Sequence, residues 1–284
     1  MRQKINRRDF YKFIDREYKP TPRQFMENHT WRKLRKEPMH YALFDRIRFY
    51  HTIRFALRYL PPTDPVILDM GVYPGTLLYI LSQLLPRYHC RPTLLGVGLS
   101  ITPEFVSEIE KGCRAMIETV NLDPDNLDLE GKPYTCRIPF DTESVDFAFA
   151  TEVIEHLTSP TYMLQESHRV LRKGGYMLIT TPNVSRVGSI FKLLAGKTNY
   201  DRLMPPGYSD PEDEWRPHFR EYSMDELIIF LHKAGFKVID SICFSDHTEF
   251  MYKDIKQRLI DLAKVPFELI PHLRGNILVC GKKL

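Results

Sequence analysis

Residues 66–76, VILDMGVYPGT, decide the fold. Val66, Ile67 and Leu68 form a short, branched, apolar run that closes on Asp69 and reaches Gly71, the pattern of a buried strand entering a turn. Gly71 and Gly75 supply backbone freedom on either side of Tyr73, and a helix is predicted to follow. The amides at the start of such a helix favour a negatively charged ligand group. Tyr73 stands where a dinucleotide-binding G-x-G-x-x-G turn places its middle glycine, so that reading is disfavoured.

Outward from this turn, apolar runs alternate with helical stretches. Strands are predicted near 66–70, 93–98, 133–138, 145–150, 175–181, 236–243 and 276–281. The expected fold is α/β, a doubly wound, seven-stranded, mostly parallel sheet with ligands beyond the carboxyl ends of its strands. Upstream, Leu43, Ile47, Tyr50, Ile53, Leu57 and Leu60 recur three or four apart, and Pro61 and Pro62 follow them. Residues 1–62 therefore read as a helical extension and 63–284 as the main domain. Within it, 184–220 forms a lid insertion containing a helix from Ser185 to Leu194 and the aromatics Tyr200, Tyr208 and Trp215. Gly174 and Gly175 read as a tight turn into the fifth strand, and Pro182 and Asn183 as pocket wall.

The totals narrow the class. The chain has 284 residues, 43% hydrophobic and 27% charged, and no apolar run long enough for a membrane span, so a globular protein in the cytoplasm is expected. Five scattered cysteines without a C-x-x-C pair exclude a disulfide framework and a cysteine zinc site. The net charge of +4 is segregated: residues 1–60 hold 16 Lys and Arg against 6 Asp and Glu. That segment, with His29, Trp31, Arg32, Lys33, Arg35 and Lys36, leaves nucleic acid open as a partner, although a solvated basic face is the favoured reading.

Three further blocks carry a family resemblance: PFDTESVDFAFATEVIEHL at 139–157, RVLRKGGYMLITTPN at 169–183 and HFREYSMDELIIFLHKAGF at 218–236. With the 66–76 turn and the final GNILVCGKK, their order and spacing resemble class I S-adenosylmethionine-dependent methyltransferases, including the ubiquinone-biosynthesis O-methyltransferases. The resemblance implies a last strand that inserts antiparallel beside the sixth. It also implies S-adenosylmethionine as cofactor, with Asp69, Gly71, Tyr73 and Gly75 around its methionine end and Thr151 and Glu152 at the junction with the acceptor. In place of the family's usual ribose-binding acid stands Gly98, with Ser100 as a possible substitute. The acid expected near the adenine is missing from residues 133–140, unless Asp123, Asp125 or Glu130 folds back. The implied reaction is O-methylation of a small molecule, lipid or glycan. The alternatives are an RNA methyltransferase and a noncatalytic binding protein with a degenerate cofactor site.

Glu152, Glu155 and His156 lie at offsets of three and four, which puts them on one face if a helix has begun there. Joined by His218, two carboxylates and two imidazoles suit a divalent cation such as Mg2+. This set is similar to the metal site of plant small-RNA 2'-O-methyltransferases. Without a metal, His156 or His218 is the candidate general base.

Overall fold

The computed structural model describes residues 4–25, 39–61, 63–99, 101–123, 137–198, 218–245 and 255–284. Strands β1 (Val66–Met70), β2 (Thr93–Gly98), β3 (Met116–Thr119), β4 (Val145–Thr151), β5 (Leu171–Pro182), β6 (Phe236–Phe244) and β7 (Asn276–Lys283) form one seven-stranded sheet in the order β3-β2-β1-β4-β5-β7-β6. β7 pairs antiparallel with both β5 and β6, as the family resemblance implies, and the other pairings are parallel.

Alternation along the strands covers both faces. Ile67, Phe147 and Phe149 are buried on one face, Leu68, Ala148 and Ala150 on the other. The first face is covered by α1 (Arg7–Arg16), α3 (Arg46–Tyr59), α4 (Thr76–Leu84) and α5 (Pro103–Cys113); the short α2 (Tyr41–Phe44) leads into α3. The second carries α6 (Pro160–Val170) and α8 (Met224–Lys233), the latter started by a capping box between Ser223 and Glu226. Helices α7 (Val187–Leu194) and α9 (Ile255–Glu268) pack on each other.

The N-terminal helices share the core of the sheet: Phe10, Phe13, Phe49, Ile53 and Phe55 are buried in the same cluster as Ile67, Leu78 and Phe147. Several N-terminal cations are neutralised within the chain, in Arg23–Glu108, Arg46–Asp15, Arg48–Asp45 and Arg58–Asp240. The basic and aromatic stretch from His29 to Lys36 lies outside the described residues, as do Tyr200, Tyr208 and Trp215 of the expected lid.

One strand differs from expectation. β3 is Met116–Thr119; Arg137 and Ile138 are irregular, and 133–136 lie outside the described residues. The true strand is four residues long, pairs only with β2, and buries Ile117 alone, so it offers no apolar run to detect. Gly174 and Gly175 also lie within β5 rather than before it. There the pairing with β4 jumps from Val145↔Leu171 to Phe147↔Tyr176, and Gly174 takes a φ of 76°.

Candidate active site

The carboxyl ends of β1 and β4 lie side by side, with Asp69 paired to Phe149. Gly71 has φ 77° and Gly75 φ 86°. A side chain at either would collide: a Cβ on Gly71 would stand 2.4 Å from Val153, and one on Gly75 2.5 Å from Ile109. Both glycines thus let the loop pass close to neighbouring elements. Tyr73 turns its ring outward against Phe105, with Arg23 nearby.

Asp69 is 2% exposed, and its Oδ1 is buried without a hydrogen-bond partner. Burial pushes its carboxyl up to about 8, against the opposing pull of Arg48. Thr76 Oγ1, at the start of α4, is likewise buried and unsatisfied. A deeply buried carboxylate oxygen with no donor costs free energy unless a ligand supplies one.

Arg48 is the functional residue that the sequence reading missed. It is buried on α3, donates to Asp45 Oδ2 at 2.7 Å and to the Tyr41 hydroxyl at 2.5 Å, and acts electrostatically on both Asp69 and Glu152. Burial opposes its charge, but Tyr41, Asp45 and Glu152 hold it firmly protonated. Arg48 shares a helical face with Thr52 and Phe55, and all three are buried, which only the packing of α3 reveals.

At the end of β4, Glu152 adopts φ 57°, an uncommon left-handed conformation for a residue with a side chain. Its amide donates to the Thr180 carbonyl at 2.9 Å, and its Oε1 accepts from the Thr180 hydroxyl at 2.9 Å. Burial raises its carboxyl above the usual range while Arg48 draws it down.

Because Glu152 leaves the helical region, the expected continuous helical face does not form; only a 3-10 turn, Ile154–His156, follows. The four-residue cluster divides accordingly. Glu155, His156 and His218 bring one potential ligand atom each to within 4.8 Å of one another; Glu152 is not one of the three and is held instead by Thr180 and Arg48. Glu155 is fully buried, accepts from the Thr181 hydroxyl at 2.9 Å through Oε2, and leaves Oε1 unsatisfied. Burial and the neighbouring Glu152 push its carboxyl well up.

Backbone bonds bring His218 to this turn. The amides of Phe219 and Arg220 donate to the Glu155 carbonyl at 2.8 and 3.3 Å, and the His156 and His218 rings meet edge to face, centroids 4.7 Å apart. His218 Nδ1 lies 3.9 Å from Glu221, which Arg186 grips with both terminal nitrogens at 2.5 and 2.7 Å. Although burial opposes ionisation, His218 and Arg186 hold Glu221 below the usual carboxylate range.

On the ribose and adenine sides the structure adds two facts. A Cβ at Gly98 would make only ordinary contacts, 3.4 Å from Val72 and 3.8 Å from Ile101, so space does not require glycine there. Asp123 follows β3, where an adenine-side acid was sought, but its carboxylate receives the Thr158 and Ser159 amides and the Thr158 hydroxyl at 2.8–3.0 Å. It braces the turn into α6. Ser100, Asp125 and Glu130 lie outside the described residues.

A family model described as a methyltransferase domain matches residues 40–241. The chain belongs to this methyltransferase-domain family. The resemblance to class I S-adenosylmethionine-dependent methyltransferases and the expected α/β fold are both borne out. A probable S-adenosylmethionine-dependent methyltransferase of Mycolicibacterium smegmatis is 33% identical over 106 residues, 37% of this chain and 34% of that protein. A malonyl-acyl-carrier-protein O-methyltransferase of Marinomonas sp. is 26% identical over 143 residues, 49% of this chain and 46% of that one. The chain thus spans less than half the length of these curated relatives. Among solved structures, a possible histamine N-methyltransferase of Thermotoga maritima superposes with a TM-score of 0.51 at 17% identity, over 86% of this chain and 93% of that one. That likeness concerns the fold alone.

Proposed function

We propose that this methyltransferase-domain protein is a cytoplasmic enzyme that transfers the methyl group of S-adenosylmethionine to an oxygen of a small-molecule, lipid or glycan acceptor. The observation that carries the reading is the unsatisfied, buried Asp69 carboxylate at the β1 tip, within electrostatic reach of the buried Arg48. Those two charges match the two ends of an amino acid: Asp69 takes the ammonium, and Arg48, turning from Asp45, takes the carboxylate. S-adenosylmethionine, when bound, supplies an electrophilic methyl carbon on a sulfonium.

The chain's residues then have two tasks, to align the acceptor oxygen and to remove its proton. His218, with Nδ1 3.9 Å from Glu221, accepts the proton of the incoming hydroxyl. Glu155, its carboxyl raised by burial and by Glu152, faces the histidine pair. O-methylation is also the reaction named for the Marinomonas relative.

A second reading has its own observation. The clustering of Glu155, His156 and His218 within 4.8 Å, with Glu155 Oε1 unsatisfied, fits three ligands of a divalent cation such as Mg2+ that would lower the acceptor's pKa.

Methyl transfer to a panel of hydroxyl and carboxyl acceptors, assayed with and without a chelator, tests both. With His218 as base, His218→Ala lowers kcat about 10²- to 10⁴-fold at unchanged cofactor affinity, and the chelator has no effect. Loss of turnover on chelation, restored by Mg2+, selects the metal reading. Full activity in both His156→Ala and His218→Ala contradicts both.

A further inference from the structure

Helices α7 and α9 lie against each other, joined by an edge-to-face contact between Phe191 and Phe267 at 5.5 Å. Around that contact the apolar side chains face outward. Of the fifteen large hydrophobic residues exposed among the described residues, eleven fall within 191–194 and 255–270. Leu194 and Ile255 are more than three-quarters exposed, and Leu193, Leu259 and Leu262 more than half. Exposed apolar side chains clustered on one helix pair in this way mark an interaction surface.

Charge identifies the occupant. Lys192 and Lys197 on the α7 side are exposed, while on α9 the partly exposed Lys264 is paired with the buried Asp261 at 2.8 Å and Arg258 and Glu268 are partly exposed, which leaves the face net positive. Two copies set face to face would bring these cations together, which disfavours a dimer. Interleaved cations and apolar side chains suit a surface of anionic headgroups above acyl chains. No helix among the described residues is long and apolar enough to cross a membrane, so such contact is peripheral.

A cleft of about 340 Å3 also connects α7 to the candidate site, lined by His218, Glu221, Arg186, Pro182 and, on α7, Lys192. It runs from His218 to Lys192, the α7 residue next to Phe191 and Leu193 of the apolar face.

We propose that the α7–α9 face docks on an anionic lipid bilayer and that the acceptor reaches His218 along this cleft as the headgroup of a membrane-borne lipid. The docking half stands on the surface alone, and the delivery half rests on the transfer site proposed above.

The test is co-sedimentation of the full chain with phosphatidylcholine vesicles, with and without phosphatidylglycerol, alongside calorimetric S-adenosylmethionine binding. Expected is sedimentation with the anionic vesicles, weakened about tenfold or more without phosphatidylglycerol and at high salt. Leu194→Glu/Leu259→Glu, altered at exposed positions, is expected to lose vesicle binding and keep cofactor binding. Absence of sedimentation with anionic vesicles overturns the docking, as does undiminished sedimentation of the double variant. A dimer in solution that the double variant dissolves also overturns it, by making the face a self-association surface. Vesicle binding without cofactor binding leaves the docking intact and overturns the transfer site instead.

Discussion

Asp69 shows how one residue couples stability to ligand. Its carboxyl keeps its proton in the fold up to about pH 8, against 3.8 for an ordinary aspartate. Its folded pKa is raised, so its contribution to stability falls as the pH rises between those values, until a cation offsets the buried charge. Gly98 is the complementary case, a position where a charge is missing rather than buried. Because its φ is not left-handed and a Cβ there meets only ordinary contacts, Gly98→Asp should fold and add the ribose contact. A charged hydrogen bond contributes about 1.5–3 kcal/mol, so S-adenosylmethionine affinity measured by calorimetry should rise roughly ten- to a hundredfold. Unchanged affinity would place the ribose elsewhere. Asp69, Gly71 and Gly75 were legible because turn chemistry is local. Arg48 was not, because its role depends on α3 lying over the ends of β1 and β4, which begin only at Val66 and Val145.

At the scale of elements, legibility followed apolar content. β1 and β2 stand where their branched runs predict, and β4, β5, β6 and β7 are extended by one to five residues. β3 was misplaced because a four-residue edge strand with one buried side chain carries almost no pattern. The same element explains the missing adenine-side acid. Asp123 follows β3 directly, yet it is committed to the turn at Thr158 and Ser159 that starts α6. Asp123→Ala should therefore act on stability, removing charge-assisted bonds from a buried site at a cost of about 2–4 kcal/mol. Chemical denaturation measures this, and a large loss of cofactor affinity at unchanged stability would instead return Asp123 to the adenine pocket. The expected face of Glu152, Glu155 and His156 failed for an element-level reason too. Spacing of three and four implies a shared face only inside a helix, and the left-handed Glu152 lies before the turn begins.

In the whole molecule, the N-terminal helices and the sheet act as one body. Phe10, Phe13, Phe49 and Phe55 complete the core beneath the same sheet face that carries Phe147 and Phe149, and this packing delivers Arg48 to the β1 and β4 tips. The segregated positive charge, legible as composition, is partly spent on internal ion pairs that composition cannot show. The central claim is that this assembled site binds S-adenosylmethionine through the buried Asp69, whose Oδ1 has no hydrogen-bond partner among the described residues. Calorimetric titration of the wild type and Asp69→Asn with S-adenosylmethionine, from pH 6 to 9, tests it directly. The wild type should release a proton on binding and tighten about tenfold per unit between pH 6 and 7, peaking near pH 8, where the ligand's α-amino group begins to lose its proton. Asp69→Asn should bind more weakly and lose that rise. Absence of wild-type binding at millimolar cofactor, or equal affinity in the variant at every pH, would contradict the account.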